Sequence, residues 1–211
     1  GGHLYRFLSD GIVSNPNDPA NSQLFEKGTL YGAVFNADGS GQWRPLTPQT
    51  PVDPLAAPVR VPHSDRTQAG AEELTSPEAR ARYRQRYQTL GDLYTGEGEA
   101  QLGALLIDAH LAANAAGITP TARPEDTVLD PASGDLLVTF TSGMPGSEGT
   151  PDPAIFRGPQ GQTPWNEGWI MRLSEQGENR FRWQMVATGG EPANGGLGFA
   201  NPDNLAVDPT G

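Results

Sequence analysis

Apolar residues along this chain fall into short runs, each bounded by Gly, Pro, Asp or Asn. They are "HLYRFL" (3–8), "TLYGAVF" (29–35), "TVLD" (127–130), "DLLVTF" (135–140), "GWIMRL" (168–173), "RFRWQMV" (180–186) and "NLAVD" (204–208). Such runs, rich in β-branched and aromatic side chains, are too short for helices and predict strands. "NADGSG" (36–41) reads as a hairpin turn, since a calcium loop would need an acidic residue at its distal end. Two stretches break the pattern. Residues 45–63 are Pro-rich and predict an extended, structureless crossing. "TSPEARARYRQRY" then predicts a helix, with Thr75 and Glu78 at capping-box spacing and Pro77 in the first turn. A second helix is expected over about 98–116, with Leu102, Leu105, Leu106 and Ala109 on one face and a stop at Gly117.

One phrase occurs twice. In "RPEDTVLDPASG", Pro124, Glu125 and Asp126 match Pro202, Asp203 and Asn204 of "NPDNLAVDPTG", and Asp130-Pro131 matches Asp208-Pro209. Four strand-like runs lie between the copies. Four antiparallel strands followed by a return to the starting phrase is the pattern of a β-propeller blade. The spacing exceeds the usual ~40–50 residues of a blade, and a loop insertion at 141–166 accounts for the excess. The expected fold is all-β: a partial propeller with one full four-stranded blade, 127–130 innermost, and parts of its neighbours. Runs 3–8 and 29–35 would end an earlier blade, and 204–208 would begin the next. A helical insertion at 45–118 completes a single domain over 1–211 that is a fragment of a ring. Its open strand edges would invite self-association.

Composition sharpens this picture. The 27 Gly and 20 Pro suit a turn-rich fold, and 211 residues suffice for a sizeable core. No apolar run approaches the roughly 20 residues of a membrane span, so no membrane partner is expected. There is no cysteine, which excludes disulfides and thiolate metal sites within these residues. The net charge of −11 argues against nucleic acid. It suits calcium, which takes oxygen ligands, and equally a charge that serves solubility alone. No signal peptide is visible, because the chain opens on "GGHLYRFLSD", which reads as the inside of a domain.

In a propeller, first strands line the central channel. Glu125, Asp203 and Asn204 would therefore converge at one channel mouth, over which both insertions hang, as an oxygen-lined calcium site. Arg123 beside them would clamp a phosphate or carboxylate in bidentate fashion. The competing reading has Glu125 and Asp203 only accepting hydrogen bonds from turn amides. Asp130 and Asp208 belong to the opposite face and read as structural. Arg80, Arg82, Arg84 and Arg86 pair as 80/84 and 82/86 on a solvated helix, in preference to forming an anion-catching lid. His3, His63 and His110 have neither metal nor triad spacing, and no nucleophile elbow, P-loop or dinucleotide fingerprint occurs.

"GTLYGAVFNADGSGQWRPL" (28–46), "AHLAANAAGITPTARPED" (109–126), "NEGWIMRL" (166–173), "FRWQMV" (181–186) and "FANPDNLAVDPTG" (199–211) resemble, in order, the PhoX-type alkaline phosphatases, bacterial secreted β-propeller phosphatases. The resemblance implies a periplasmic or secreted phosphomonoesterase that acts on small phosphate esters and depends on calcium and, in characterised members, iron. Arg123 and Glu125 match the motif of the phosphatase site, with Arg123 on substrate. Asp203 and Asn204 match the channel-lining phrase of the following blade, and with Glu125 they would hold metal. The chain departs from the family pattern at Thr121-Ala122 (usually Met-Asp), Trp169 (often His) and Ser142-Gly143 (usually an Asn pair). The family's iron-binding cysteine would lie before Gly1. As an incomplete piece, the chain alone is expected to be inactive. The alternatives are a non-catalytic calcium-binding propeller scaffold and a lactonase-like propeller hydrolase.

Overall fold

The structure, a computed structural model, describes residues 2–65, 67–68, 70–146 and 149–208. In chain order its elements are β1 (Tyr5–Ser9), β2 (Gly28–Phe35), β3 (Ser40–Pro45), β4 (Val59–Pro62), β5 (Ala71–Leu74), α1 (Pro77–Arg86), α2 (Gly98–Ile107), α3 (Ala109–Ala115), β6 (Pro124–Leu129), β7 (Leu136–Phe140), β8 (Trp169–Glu175) and β9 (Arg180–Thr188). They fall into two compact units. One is Gly1–Leu4, Ala33–Trp43 and Ile118–Gly211; the other is Tyr5–Gly32 and Arg44–Gly117.

In the first unit β6, β7, β8 and β9 form the expected antiparallel meander, with Leu136 opposite Leu173 and Phe140 opposite Trp169. Along β8, Trp169, Met171 and Leu173 are buried while Ile170, Arg172 and Ser174 are partly exposed. That is the two-residue period of a half-covered sheet. Phe156 packs between Phe140 and Trp169, at ring-centre distances of 4.9 and 5.5 Å. The Trp169 indole donates to Arg157 O at 3.0 Å. Part of the 141–166 loop is therefore core, anchored by Ile155 and Phe156. Trp169 is thus a packing residue.

The meander does not end at β9. Its other edge pairs with β3, from Ser40 opposite Arg182 to Gln42 opposite Arg180. The sequence hid β3 because "GSGQW" lacks apolar alternation. Gly41 is required there, since a Cβ would stand 2.1 Å from the Phe181 ring. Phe181 in turn packs on Trp43 and Phe35, at 5.0 and 5.3 Å. The "NADGSG" hairpin forms as expected, with the Ser40 amide donating to Asp38 Oδ1 at 2.9 Å. The expected strand at 204–208 does not: residues 202–208 take no regular structure. The Leu205 amide goes to the Asp126 carboxylate and not to a ladder partner. Pro209 of the second phrase lies outside the described residues.

In the second unit β1 pairs antiparallel with the start of β2, Tyr5 opposite Gly32 and Ser9 opposite Gly28. The 45–63 stretch is not structureless. Val59–Pro62 pairs with Ala71–Leu74, and Val61 is fully buried. Sequence reading missed this hairpin because Pro density masked "VRV", and its partner "AEEL" looks polar. Helix α1 is capped by Ser76, whose Oγ accepts from the Ala79 amide at 3.2 Å, so Thr75 is not the cap. The helix expected over 98–116 is two helices, broken at Asp108 (φ −101, ψ 29). There the Tyr94 hydroxyl donates to Asp108 Oδ2 at 2.8 Å. Leu105 is buried as expected, whereas Leu106 is exposed. Ala112, Ala113 and Ala115 of α3 are fully buried. Arg80 and Arg84 share Asp53 at 2.9 and 3.3 Å, so the 80/84 pair anchors α1 to the chain. Among the described residues, no helix is long and apolar enough to cross a membrane.

Candidate functional site

The site is built on the start of β6. The Arg123 amide donates to Ser142 O at 3.1 Å, and the Thr141 amide donates to Arg123 O at 2.9 Å. The backbone is thus held and the side chain projects. Residues two apart share a face of an extended chain. The Arg123 guanidinium accordingly meets Glu125, Nη2 to Oε1 at 2.7 Å, with the arginine side chain 60% exposed. Pro124 faces Phe140, but Thr127 faces Val138, so β6 carries one residue more than β7 between them. This bulge falls on Glu125 and Asp126. Bulges commonly re-aim side chains beside active sites.

Glu125 is exposed and Asp126 half-buried. Asp126 Oδ1 accepts from the Thr127 amide and Oδ2 from the Leu205 amide, both at 2.8 Å. The Asp126 amide donates to Thr139 Oγ1 at 3.0 Å, and the Thr139 hydroxyl donates to Asp203 O at 3.2 Å. The two repeated phrases are therefore joined through Asp126 and Thr139.

The second phrase arrives by crossing the ends of successive strands. Just past β9, the Gly190 amide donates to Phe199 O at 2.7 Å. Just before β8, Glu167 O accepts from the Asn201 amide at 2.9 Å. The Asn201 side-chain amide donates to Asn166 O at 2.7 Å and to Thr141 O, past β7, at 2.9 Å. Gly168, at φ +83, leaves room for Pro202, whose Cδ would lie 2.4 Å from a Cβ. The chain then reaches Asp203 and Asn204, both exposed.

The structure thus brings Arg123 and Glu125 into contact and ties the second phrase to β7 through Asp203 O and to β6 through the Leu205 amide. Asn204 lies beside Asp203 on the surface. Sequence reasoning missed Asp126, Thr139 and Asn201. Asp126 was legible: strand alternation puts it opposite Glu125, and the repeat matches it to Asn204. At the other end of β6, Asp130 takes the structural role expected of it. It accepts from the Ala132 amide (2.9 Å), the Ser133 hydroxyl (2.9 Å) and Arg172 (3.0 Å). Asp135 also accepts from Arg172, at 3.1 Å. The Ala132 amide, then Ser133 and Arg172, hold the Asp130 carboxyl below the usual range. The Ser174 hydroxyl and Arg172 do the same for Asp135. His3 is buried, His63 accepts from the Asp65 amide, and exposed His110 meets the Tyr5 ring edge-on at 6.0 Å.

Carboxylate and amide oxygens at 125, 203 and 204 suit a hard cation. Among the described residues, however, no three His, Cys, Asp or Glu side chains gather closely enough to hold a metal ion.

No curated protein matches this chain. A solved structure, Pseudomonas fluorescens PhoX in complex with vanadate, a transition-state analogue, aligns over 100% of the chain at 23% identity and a TM-score of 0.62. The alignment spans 33% of that protein's chain. It supports the all-β, partial-propeller fold with a helical insertion. The family model for alkaline phosphatase PhoX matches residues 1–211. The chain belongs to the PhoX alkaline phosphatase family.

Proposed function

We propose that this chain forms part of a calcium-dependent phosphomonoesterase and that Arg123 and Glu125 are its phosphate-binding edge. The observation that carries this reading is the 2.7 Å Arg123–Glu125 pair at the β6 bulge. A guanidinium presents five donors in a planar fork. Glu125 engages one end and orients the group, while the exposed remainder suits two oxygens of a phosphate monoester. Charge that spreads over the equatorial oxygens in the transition state would be met by Arg123. Glu125, Asp203 and Asn204 would contribute oxygen ligands to calcium. Such a metal, when bound, polarises phosphoryl oxygens. Family membership supports small phosphate esters as substrates and a secreted or periplasmic site of action. On this reading the 211 residues, which align with 33% of that PhoX chain, would not turn over substrate alone.

The test is hydrolysis of p-nitrophenyl phosphate by the full-length enzyme, with calcium supplied and withdrawn. Glu125→Gln should lower kcat/KM by about 10²-fold and weaken calcium retention, because an orienting charge is lost. Arg123→Lys should raise KM roughly tenfold, since a point charge replaces the fork. Asp130→Asn should leave both constants unchanged. Full activity in the Glu125 and Arg123 variants, with a folded but inactive Asp130 variant, would put the chemistry at the other end of β6.

A further inference from the structure

We propose that Thr139 and Asn201 are positioning residues, a clamp that sets where Asp203-Asn204 stands relative to Arg123-Glu125. The inference rests on the phosphatase reading above for its catalytic consequence. Neither residue carries a charge, and neither belongs to the expected site. Thr139 is fully buried in β7, yet its hydroxyl serves backbone groups of both phrases: it accepts from the Asp126 amide and donates to Asp203 O at 3.2 Å, with Asp126 O the longer alternative at 3.4 Å. A buried hydroxyl with both roles filled is a defined joint, because removing it takes a partner from the Asp126 amide and from Asp203 O together.

Asn201 is the second joint. Its backbone is left-handed, φ +47, the one non-glycine residue so disposed among the described residues. Asparagine tolerates that conformation better than most. The turn aims its side-chain amide at Asn166 O and Thr141 O together. Both protons of that amide are thereby used, one on the lead-in to β8 and one on the lead-out from β7. Two residues later the chain is at Asp203. The segment is thus pinned on each side of Pro202, by Asn201 before it and by Thr139 and Asp126 after it. With no sheet ladder over 202–208, these side-chain bonds, together with the Asn201 backbone bond to Glu167 O, help hold the second phrase in register. A misplacement of about 1 Å in such a group can cost ~10²-fold in rate.

The test uses three variants of the full-length enzyme. T139V keeps the volume and removes the hydroxyl. T139S restores the hydroxyl. N201G keeps the left-handed backbone and removes the amide. Amide exchange at Leu205 reports the clamp without reference to activity. It should accelerate at least tenfold in T139V and N201G while amides inside β7, β8 and β9 stay protected, and it should slow again in T139S. Kinetics report the consequence: kcat on p-nitrophenyl phosphate should fall about tenfold or more in T139V and N201G with a smaller change in KM. Vanadate affinity should fall in parallel, and T139S should recover most of the loss. Unchanged exchange at Leu205 would overturn the clamp. So would accelerated exchange with kcat and vanadate affinity intact, because the phrase would then be free to move without harm. An unmutated enzyme that hydrolyses no phosphate ester would sink the phosphatase reading instead, and the exchange measurements would still decide the clamp.

Discussion

At the scale of single residues, two carboxylates respond to pH with opposite sign. Asp130, with Asp135 beside it, is held below its ordinary value of 3.8 by amide, hydroxyl and Arg172 donors. A depressed carboxylate contributes stability that is present above the unfolded value and lost as pH falls through the folded one. Asp130→Asn should therefore destabilise at pH 7 and cost progressively less below about pH 3.8, read from urea midpoints across that window. Asp108 runs the other way. Burial pushes its carboxyl above 3.8, partly offset by the Tyr94 hydroxyl. Its cost to the fold is absent at acid pH and grows as pH rises through the folded value. Asp108→Asn keeps an acceptor for Tyr94, so it should raise the urea midpoint at pH 7 and change it little near pH 3. Parallel behaviour of the two variants would contradict the geometry around one of them.

At the scale of elements, helix and strand ends carry the informative differences. The 75–78 spacing of Thr and Glu satisfies the capping-box pattern, yet Ser76 directly before Pro77 is the residue whose hydroxyl reaches the Ala79 amide. Ser76→Ala should cost about 1 kcal/mol, the usual value of a helix cap, and Thr75→Ala close to nothing. Thermal denaturation of the pair separates the two assignments. In the meander, Gly41 gives β3 its approach to the Phe181 ring. Gly41→Ala should destabilise by about 1–3 kcal/mol through overpacking. If thermal melts showed no loss, the β3–β9 pairing itself would be in doubt.

At the scale of the whole molecule, open strand edges dominate. In the first unit β6 has β7 on one side, and in the second β1 has β2 on one side. Neither has a further strand partner among the described residues. On and near β1, Phe7 (39% exposed), Leu8 (51%) and Phe25 (79%) are apolar and accessible. Unpaired edges with apolar neighbours template association with another chain. The 211-residue chain expressed alone should self-associate in sedimentation experiments and hydrolyse no p-nitrophenyl phosphate. A stable, strictly monomeric preparation would refute the first expectation, and turnover by it would refute the second.

The sequence by itself determined the strands of the meander, the hairpin turn at 36–41, the first helix and the placing of Arg123 beside Glu125. Each rests on local chemistry: a two-residue period, turn residues, a proline in the first helical turn, and two residues at alternate positions of one strand. Family membership was legible for the same reason, in phrases that keep their order. Only tertiary structure decided the rest. The 59–62 and 71–74 hairpin depends on a partner strand with no apolar signal of its own. β3 depends on a glycine being admitted against a distant phenylalanine ring. The break at Asp108 coincides with a bond to Tyr94. The path of the second phrase depends on the Asn201 amide and the Thr139 hydroxyl meeting groups far away in sequence. A polar side chain announces in the sequence that it can bond, but not with what. The partner is chosen by which backbone groups the folded sheet leaves within hydrogen-bond reach.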